Sequence, residues 1–186
     1  MKNVIVASER VYLRALEVRD SEIRARLAAE ETDTMMERAR IPTSPIAYEA
    51  IISESSKHQP PENVHFAVCL RENDEFIGLV DLMDIDWINR TAETGSWMAN
   101  PAYRGHGYGT EAKMLLLEYA FDHLHLHALN SYVWEPNARS AAALAKQGYR
   151  PAGRFYWEEI KNGVHRDALL FDILREDWLA AREAGR

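Results

Sequence analysis

A glycine-rich segment in the second half of the chain has the residue types of an anion-binding loop. A glycine stands at every second position within the run Arg104-Gly105-His106-Gly107-Tyr108-Gly109-Thr110. Glycines at this spacing allow a tight turn in which several backbone N–H groups converge on one ligand. A helical pattern follows at once, so the unpaired N–H groups and positive dipole end of a helix lie at the same place. The segment predicts a cradle for a pyrophosphate group, to which Arg104 could add a guanidinium.

Three further roles for these glycines fit the sequence less well. A phosphate-loop NTPase requires a Lys-Ser or Lys-Thr pair behind the glycines, and none follows here. Residues 107–112 match the dinucleotide-binding pattern G-x-G-x-x-A, and Glu135 could imitate the acid that binds the ribose. However, residues 100–103 separate the glycines from the strand that should directly precede them. A turn without a ligand would need one or two glycines rather than three.

The elements around the loop predict a mixed α/β fold. The apolar pattern gives the order strand, two helices, three strands, helix, strand, helix, two strands and a final helix. Asn162-Gly163, between the last two strands, is a strong hairpin signal. The predicted strands cover residues 10–16, 64–70, 75–87, 91–99, 129–135, 149–161 and 165–174, and the predicted helices cover 20–31, 44–56, 110–124 and 137–147.

Length and composition narrow the class of protein. A chain of 186 residues suits a single domain spanning 1–186. The net charge of −7, without a run of Lys and Arg, argues against direct nucleic-acid binding. No apolar run approaches the roughly 20 residues that a membrane span needs. The single cysteine, Cys69, cannot form an internal disulfide, and we expect a buried thiol in a protein of the reducing cytoplasm.

The run W-M-A-N-P-A-Y-R-G-H-G-Y-G-T-E-A resembles the signature loop of the GNAT superfamily of acetyl-CoA-dependent N-acetyltransferases, R/Q-x-x-G-x-G/A. The similarity extends from residue 13 to residue 174. It is closest to the RimJ/RimL branch, the ribosomal-protein N-terminal acetyltransferase type, in residues 91–97, 119–121, 137–140, 148–149, 162–163 and 166–167. The resemblance implies the GNAT fold, an α/β fold whose mostly antiparallel central sheet is splayed at the acetyl-CoA cleft and flanked by helices.

The resemblance also implies a set of acetyl-CoA-binding residues. The pantetheine arm lies in the gap between the strand before the loop and the strand at 129–135. A backbone N–H at Met98 or Ala99 stabilises the oxyanion, and Asn137 donates or accepts a hydrogen bond with the pantetheine. The implied cofactor-binding set is Trp97, Met98, Ala99, Arg104, Gly105, His106, Gly107, Tyr108, Gly109, Thr110, Asn137 and Ser140.

Acetyl transfer to an amine also needs proton transfers, because an ammonium must lose a proton before it attacks and the thiolate can gain one. Many GNAT enzymes carry a tyrosine acid where this chain has Leu144, and the RimL-like branch implies Ser140 instead. Ser140 could equally be a plain first-turn helix serine. The candidate bases are Glu159, which the resemblance favours, and Glu93. Glu158 should point to the opposite face from Glu159 if that segment is a regular strand.

Together these observations predict an N-acetyltransferase that moves an acetyl group from acetyl-CoA to a primary amine by direct attack in a ternary complex. The acceptor is a protein N-terminal amine or a small amine such as a polyamine or aminoglycoside, and a homodimer is an open alternative. The competing class is a GNAT-fold module that binds acetyl-CoA or an amine without turnover. No metal is expected, since no carboxylate or cysteine completes a set with His123, His125 and His127. One group of acidic residues could attract a cation, or it could simply be a solvated surface of the protein. The group consists of Glu30, Glu31, Asp33 and Glu37.

Overall fold

The computed structural model describes residues 3–31, 41, 43–55 and 57–184. Its eight strands form one sheet in the order β1-β2-β3-β4-β5-β6-β8-β7. Neighbouring strands are antiparallel except β5 and β6, which are parallel. The strands are β1 (Val4–Ala7), β2 (Val11–Ala15), β3 (Val64–Leu70), β4 (Phe76–Asp86), β5 (Thr91–Met98), β6 (Ala128–Trp134), β7 (Arg150–Lys161) and β8 (Val164–Leu174). The helices are α1 (Ser21–Glu30), α2 (Pro45–Ser55), α3 (Tyr108–Glu118), α4 (Ala138–Lys146) and α5 (Arg175–Ala184).

Helices cover both faces of the sheet. On one face, Leu116 of α3, Leu144 of α4 and Trp178 of α5 pack with strand residues in the larger core cluster. On the other face, Leu27 of α1 and Ile52 of α2 belong to a smaller cluster around β2, β3 and β4. Within the described residues, no helix is long and apolar enough to cross a membrane. The predicted mixed α/β fold, with its mostly antiparallel sheet, is confirmed.

The elements differ from the predicted ones in three respects. Strand β1 was not predicted, because a run of four residues is too short to display a period. Helix α3 begins at Tyr108, two residues before the predicted Thr110, because Gly107 adopts a left-handed conformation and serves as the N-cap. The end of the predicted helix is also different: a π-helical turn, Tyr119–His123, follows α3.

The sheet splays where the two parallel strands meet. β5 and β6 form only three pairs, at Thr91–Ala128, Ala92–Leu129 and Glu93–Asn130, although both strands continue well beyond them. Two side chains bridge the strands just past the last pair, at Thr94 and Ser131. The Thr94 hydroxyl donates to the Asn130 carbonyl at 3.0 Å, and the Ser131 hydroxyl donates to the Thr94 carbonyl at 2.9 Å. Beyond this bridge a gap opens toward the N-terminus of α3.

Candidate active site

The glycine loop, where the sequence predicts the cradle, lies at the open end of the gap. Gly105 and Gly107 have φ angles of 83° and 86°, which side chains disfavour. The Glu111 N–H donates to the Gly107 carbonyl at 3.0 Å, which is the first hydrogen bond of the helix. The N–H groups of the residues between them lie in the first turn, where no helical carbonyl is in reach. Tyr108, Gly109 and Thr110 therefore offer three amides to an anion.

An ion pair from the β1–β2 turn braces this loop. Glu111 in the first turn of α3 accepts hydrogen bonds from the Ser8 hydroxyl at 2.6 Å and from the Arg10 Nε at 2.7 Å. Arg10 also donates to the His106 carbonyl at 3.0 Å, and its guanidinium lies 4.5 Å from the centre of the Tyr108 ring. Burial raises the pKa of Glu111, but these hydrogen bonds outweigh it, so the pKa is lowered. Sequence reasoning missed this brace, because nothing in the local pattern links residues so far apart.

Arg104 does not extend its guanidinium into the cradle. Its Nε donates to the Met98 carbonyl at 2.9 Å and its Nη2 donates to the Ala99 carbonyl at 3.3 Å. The Nη2 also pairs with the Glu31 carboxylate, just after α1. Arg104 therefore clamps the end of β5 to α1, and the positive potential of the cradle comes from backbone amides.

The hydrogen bonding of β5 decides which amides face the gap. Gly78 of β4 lies directly opposite Met98, and the Ala99 N–H donates to the Ile77 carbonyl at 3.0 Å. A pair flanked in this way exchanges no hydrogen bonds of its own, so the Met98 amide points away from β4 and into the gap. Of the two oxyanion donors that the resemblance implies, the Ala99 amide is already bonded and Met98 is open to a ligand.

Ser96 has the same orientation as Met98, because the direction of backbone groups repeats every second residue along a strand. The Thr94 carbonyl points in the same direction as the backbone groups of Ser96 and Met98, because it accepts a hydrogen bond from the Ser131 hydroxyl of β6. Sequence reasoning missed Ser96, since a backbone donor leaves no trace in the residue type. Trp97, one residue on, has its backbone turned toward β4, and its side chain packs with the smaller core cluster.

The start of α4 lies on the far side of the gap. Asn137 is the N-cap of this helix, and its Oδ1 accepts from the Ser140 N–H at 3.1 Å. A ligand can therefore use the Nδ2 donors of Asn137. Ser140 is half-buried in the first turn. Leu144, in the place of the tyrosine acid, is 4% exposed and belongs to the core.

Glu93 lies at the closed end of the gap, because it is the last residue of β5 that pairs with β6. It is half-buried. Burial raises the pKa of Glu93, the nearby Asp84 carboxylate raises it further, and Lys113 partly offsets the shift. Asp84 itself stands in a bulge of β4 with a left-handed φ of 49°.

Strand β7 is bulged just before Glu159. Phe155 pairs with Ala168 and Glu159 pairs with Arg166, so four steps along β7 match two steps along β8. Trp157 within the bulge has a left-handed φ of 58°. A bulge of this kind interrupts the alternation of side chains between the two faces.

Asp167 of β8 holds the bulge in shape. Its carboxylate accepts from the Trp157 N–H at 3.1 Å and from the Arg154 guanidinium at 2.8 Å. The bulge moves the partner of Glu159 on β8 by two residues, and because this shift is even it leaves Glu159 on the face that regular alternation predicts.

The charge of Glu158 acts on the side chain of Tyr132 in β6. Burial raises the pKa of Tyr132, and the negative charges of Glu93, Glu158 and Asp84 raise it further. The carboxylates of Glu93, Glu158 and Asp84 therefore all lie near enough to Tyr132 to act on its phenol.

The other sequence-derived candidates lie away from this site or in other roles. Cys69 is fully buried, as predicted. His123 stacks on Tyr119, with ring centres 5.5 Å apart. Among the residues that the structure describes, no group of three His, Cys, Asp or Glu side chains has the arrangement of a metal site. Glu30 pairs with Arg26 at 3.2 Å. Asp33 and Glu37 lie outside the described residues.

Comparisons with known proteins agree with this geometry. The family described as "Acetyltransferase (GNAT) domain" matches residues 10–150. The Bacillus subtilis (strain 168) protein named "Putative ribosomal N-acetyltransferase YdaF" is 26% identical over 174 residues, covering 92% of this chain and 94% of that protein. The spermidine N(1)-acetyltransferase of Vibrio cholerae serotype O1 is 30% identical over 107 residues, covering 58% of this chain and 61% of that enzyme.

A solved structure extends the agreement to the fold. A crystal structure named as a probable acetyltransferase has a TM-score of 0.81 and 25% identity, covering 92% of this chain and 96% of the other. The family match spans well over half of the chain, and the cradle and the gap lie within it. The chain therefore belongs to the GNAT acetyltransferase family and is an N-acetyltransferase.

Proposed function

We propose that this chain, as one domain spanning 1–186, transfers an acetyl group from acetyl-CoA to a primary amine by direct attack in a ternary complex. We also infer that it is of the RimJ/RimL type. The observation that carries the proposal is the gap between β5 and β6, which opens onto the three free amides at the start of α3. If the pyrophosphate of acetyl-CoA binds those amides, its extended pantetheine arm leads directly into the gap.

The edges of the gap supply hydrogen bonds for that arm. The N–H and carbonyl of Ser96 and the N–H of Met98 form an open strand edge, to which the amides of the pantetheine can add like a further strand. The Met98 carbonyl is already bonded to Arg104. Asn137 offers its Nδ2 donors from the opposite side. The Met98 amide is the donor that the thioester oxygen can use as negative charge develops on it, while the Ser96 N–H and carbonyl serve the pantetheine.

The reaction forms a C–N bond and breaks a C–S bond. The neutral amine attacks the thioester carbon, and the electron pair of the C–S bond leaves on sulfur. The proton that the amine loses passes through water to a carboxylate, for which Glu93 has the better position and a raised pKa. Ser140 at the start of α4 can give its proton to the departing sulfur and regain one from water.

The acidic environment of Tyr132 favours a small polycation as the acceptor. Three carboxylates, those of Glu93, Glu158 and Asp84, act on this one phenol, so an amine with further positive charges gains attraction there. The relative that acts on spermidine agrees with this preference. A protein N-terminal amine is the second candidate, supported by the relative whose name includes ribosomal N-acetyltransferase.

A thiol-release assay tests the proposal. The purified protein is incubated with acetyl-CoA and, separately, with spermidine, an aminoglycoside or a peptide with a free N-terminus, and free thiol is measured over time. We expect release that depends on the amine and is fastest with spermidine. Tight binding of acetyl-CoA without thiol release for any amine would instead support a binding or sensing module.

A further inference from the structure

A lysine is buried at the closed end of the gap. Lys113 projects from α3 toward the sheet and is 2% exposed. Its Nζ lies 3.4 Å from the carbonyl oxygen of Gly95, a residue just beyond the last β5–β6 pair. The ring of Tyr149 also lies near it, with its centre 5.9 Å from the Nζ. The Tyr149 hydroxyl contacts Thr94, which bridges β5 and β6, so the amine lies beside the closed end of the gap on the face of the sheet that α3 covers.

This environment leaves the ammonium poorly satisfied. An ammonium has three N–H donors, and one carbonyl at 3.4 Å with a ring face is a weak set of partners. The carboxylates of Asp81 and Glu93 act on it from the strands, and Tyr149 faces it from the loop after α4. Burial lowers the pKa of Lys113 from 10.5 to about 7, an effect that the two carboxylates only partly offset. A buried ammonium with so few hydrogen-bond partners is strongly stabilised by a nearby anion.

Tyr149 cannot be that anion. Its hydroxyl lies 2.8 Å from the Thr94 hydroxyl, which itself donates to the Asn130 carbonyl, so the phenol must donate its own proton to Thr94. Burial also raises the pKa of Tyr149 above its ordinary value. The phenol is neutral, and its hydroxyl is engaged in this chain of hydrogen bonds.

We propose that Lys113 stabilises the thiolate of CoA as it leaves. The inference rests on the proposed function: with the pyrophosphate on the cradle, the sulfur end of the arm extends toward the closed end of the gap, where Lys113 lies. As the C–S bond breaks, its electron pair stays on sulfur, and the Lys113 ammonium donates a hydrogen bond to this thiolate without giving up its own proton. The thiolate then takes its proton from Ser140, which regains one from water. The role suits a chain that has Leu144 in place of a tyrosine acid, because a charge in a buried site acts strongly without a proton transfer.

A binding cycle with two ligands and two proteins tests the proposal without catalysis. CoA and desulfo-CoA, which lacks only the thiol, are titrated by calorimetry into the wild-type protein and into Lys113→Met. The titrations are done at about pH 7, where part of Lys113 carries its proton, and at about pH 8, where part of the thiol is ionised. We expect the wild-type protein to prefer CoA over desulfo-CoA by about 10-fold or more, the effect of a charge-assisted hydrogen bond. We expect Lys113→Met to lose this preference while it retains its affinity for desulfo-CoA.

Two controls make the result decisive. Lys146→Met removes the same charge from the exposed end of α4 and should keep the preference for CoA. Lys113→Gln serves as a second neutral variant if the Met variant does not fold. An equal loss of affinity for both ligands in both Lys113 variants, or an unchanged preference for CoA, would overturn the proposal. Failure of the wild-type protein to bind either ligand would count against the proposed function itself and against the inference that rests on it.

Discussion

Glu93 and Glu159 project from the same face of the sheet, but they are level with positions of β8 that are six residues apart. Glu93 pairs with Asn130, which pairs with Asp172 of β8, whereas Glu159 pairs with Arg166 of β8. Paired residues share a face, and the step from 166 to 172 is even, so both carboxylates lie on the same side. At about 3.3 Å per residue this step is about 20 Å. At most one of them can be the base for a given amine.

We expect Glu93→Gln to lower kcat/KM by about 10²- to 10⁴-fold, the usual range for loss of a general base. Glu93 lies on the strand that borders the gap, and burial raises its pKa toward the range of an effective base. Glu159→Gln should have a smaller effect. Steady-state kinetics with the best acceptor check this. A higher pH should partly restore the Glu93 variant, because more of the amine is then neutral.

Glu176→Gln, at an exposed carboxylate of α5, controls for the loss of one surface charge and should keep wild-type kinetics. An active Glu93→Gln enzyme together with an inactive Glu159→Gln enzyme would give the role to Glu159, as the family resemblance favours.

We expect Gly107→Val to abolish acetyl-CoA binding in calorimetry. Gly107 has a φ of 86°, and a Cβ there would lie 3.3 Å from the Arg10 guanidinium at the cradle. Gly163→Val is the matched control, because Gly163 also has a left-handed φ, 74°, but lies in the β7–β8 hairpin with open space around it. Both variants should lose stability from backbone strain, while only the first should lose the ligand. Unchanged affinity in a folded Gly107→Val protein would exclude the cradle.

Ser140→Ala should slow turnover by up to about 100-fold and leave the affinity for acetyl-CoA within a few-fold, if its hydroxyl protonates the leaving thiolate. The Asn137 cap bonds to the backbone N–H of Ser140, so it survives the substitution. Ser140→Thr, which keeps a hydroxyl, should retain most of the turnover. A loss confined to affinity would make Ser140 a binding residue only.

Lys113→Met should stabilise the fold in a pH-dependent way. Because the folded pKa of Lys113 is about 7 and its ordinary value is 10.5, the unfolded chain binds more protons between these values. Wild-type stability therefore rises, relative to the variant, as the pH increases from about 7 to 10.5. Below pH 7 the variant should be more stable by about 3 to 5 kcal/mol. Urea unfolding of both proteins between about pH 6 and pH 10 measures the difference in their free energies of unfolding. A difference that does not change with pH would contradict a buried Lys113 amine with a lowered pKa.

The sequence by itself determined the features whose physics is local. Alternate glycines before a helical pattern predicted the cradle, because a left-handed turn and the free amides of a first helical turn need only neighbouring residues. Asn137 before α4 and the pair Asn162-Gly163 between β7 and β8 are of the same kind, and the hairpin pair has the two positive φ angles that such a turn requires.

Only the tertiary structure decided which groups meet in the gap. The engagement of Arg104 by Glu31 and the brace between Arg10 and Glu111 join residues far apart in the chain, which no local pattern encodes. The choice of Met98 over Ala99 depends on the pairing of β5 with β4, and a bulge shifts the partner of Glu159 along β8 by two residues. A strand's period predicts side-chain direction but not the register shift that a bulge introduces, and the environment of a charge depends on every element packed around it.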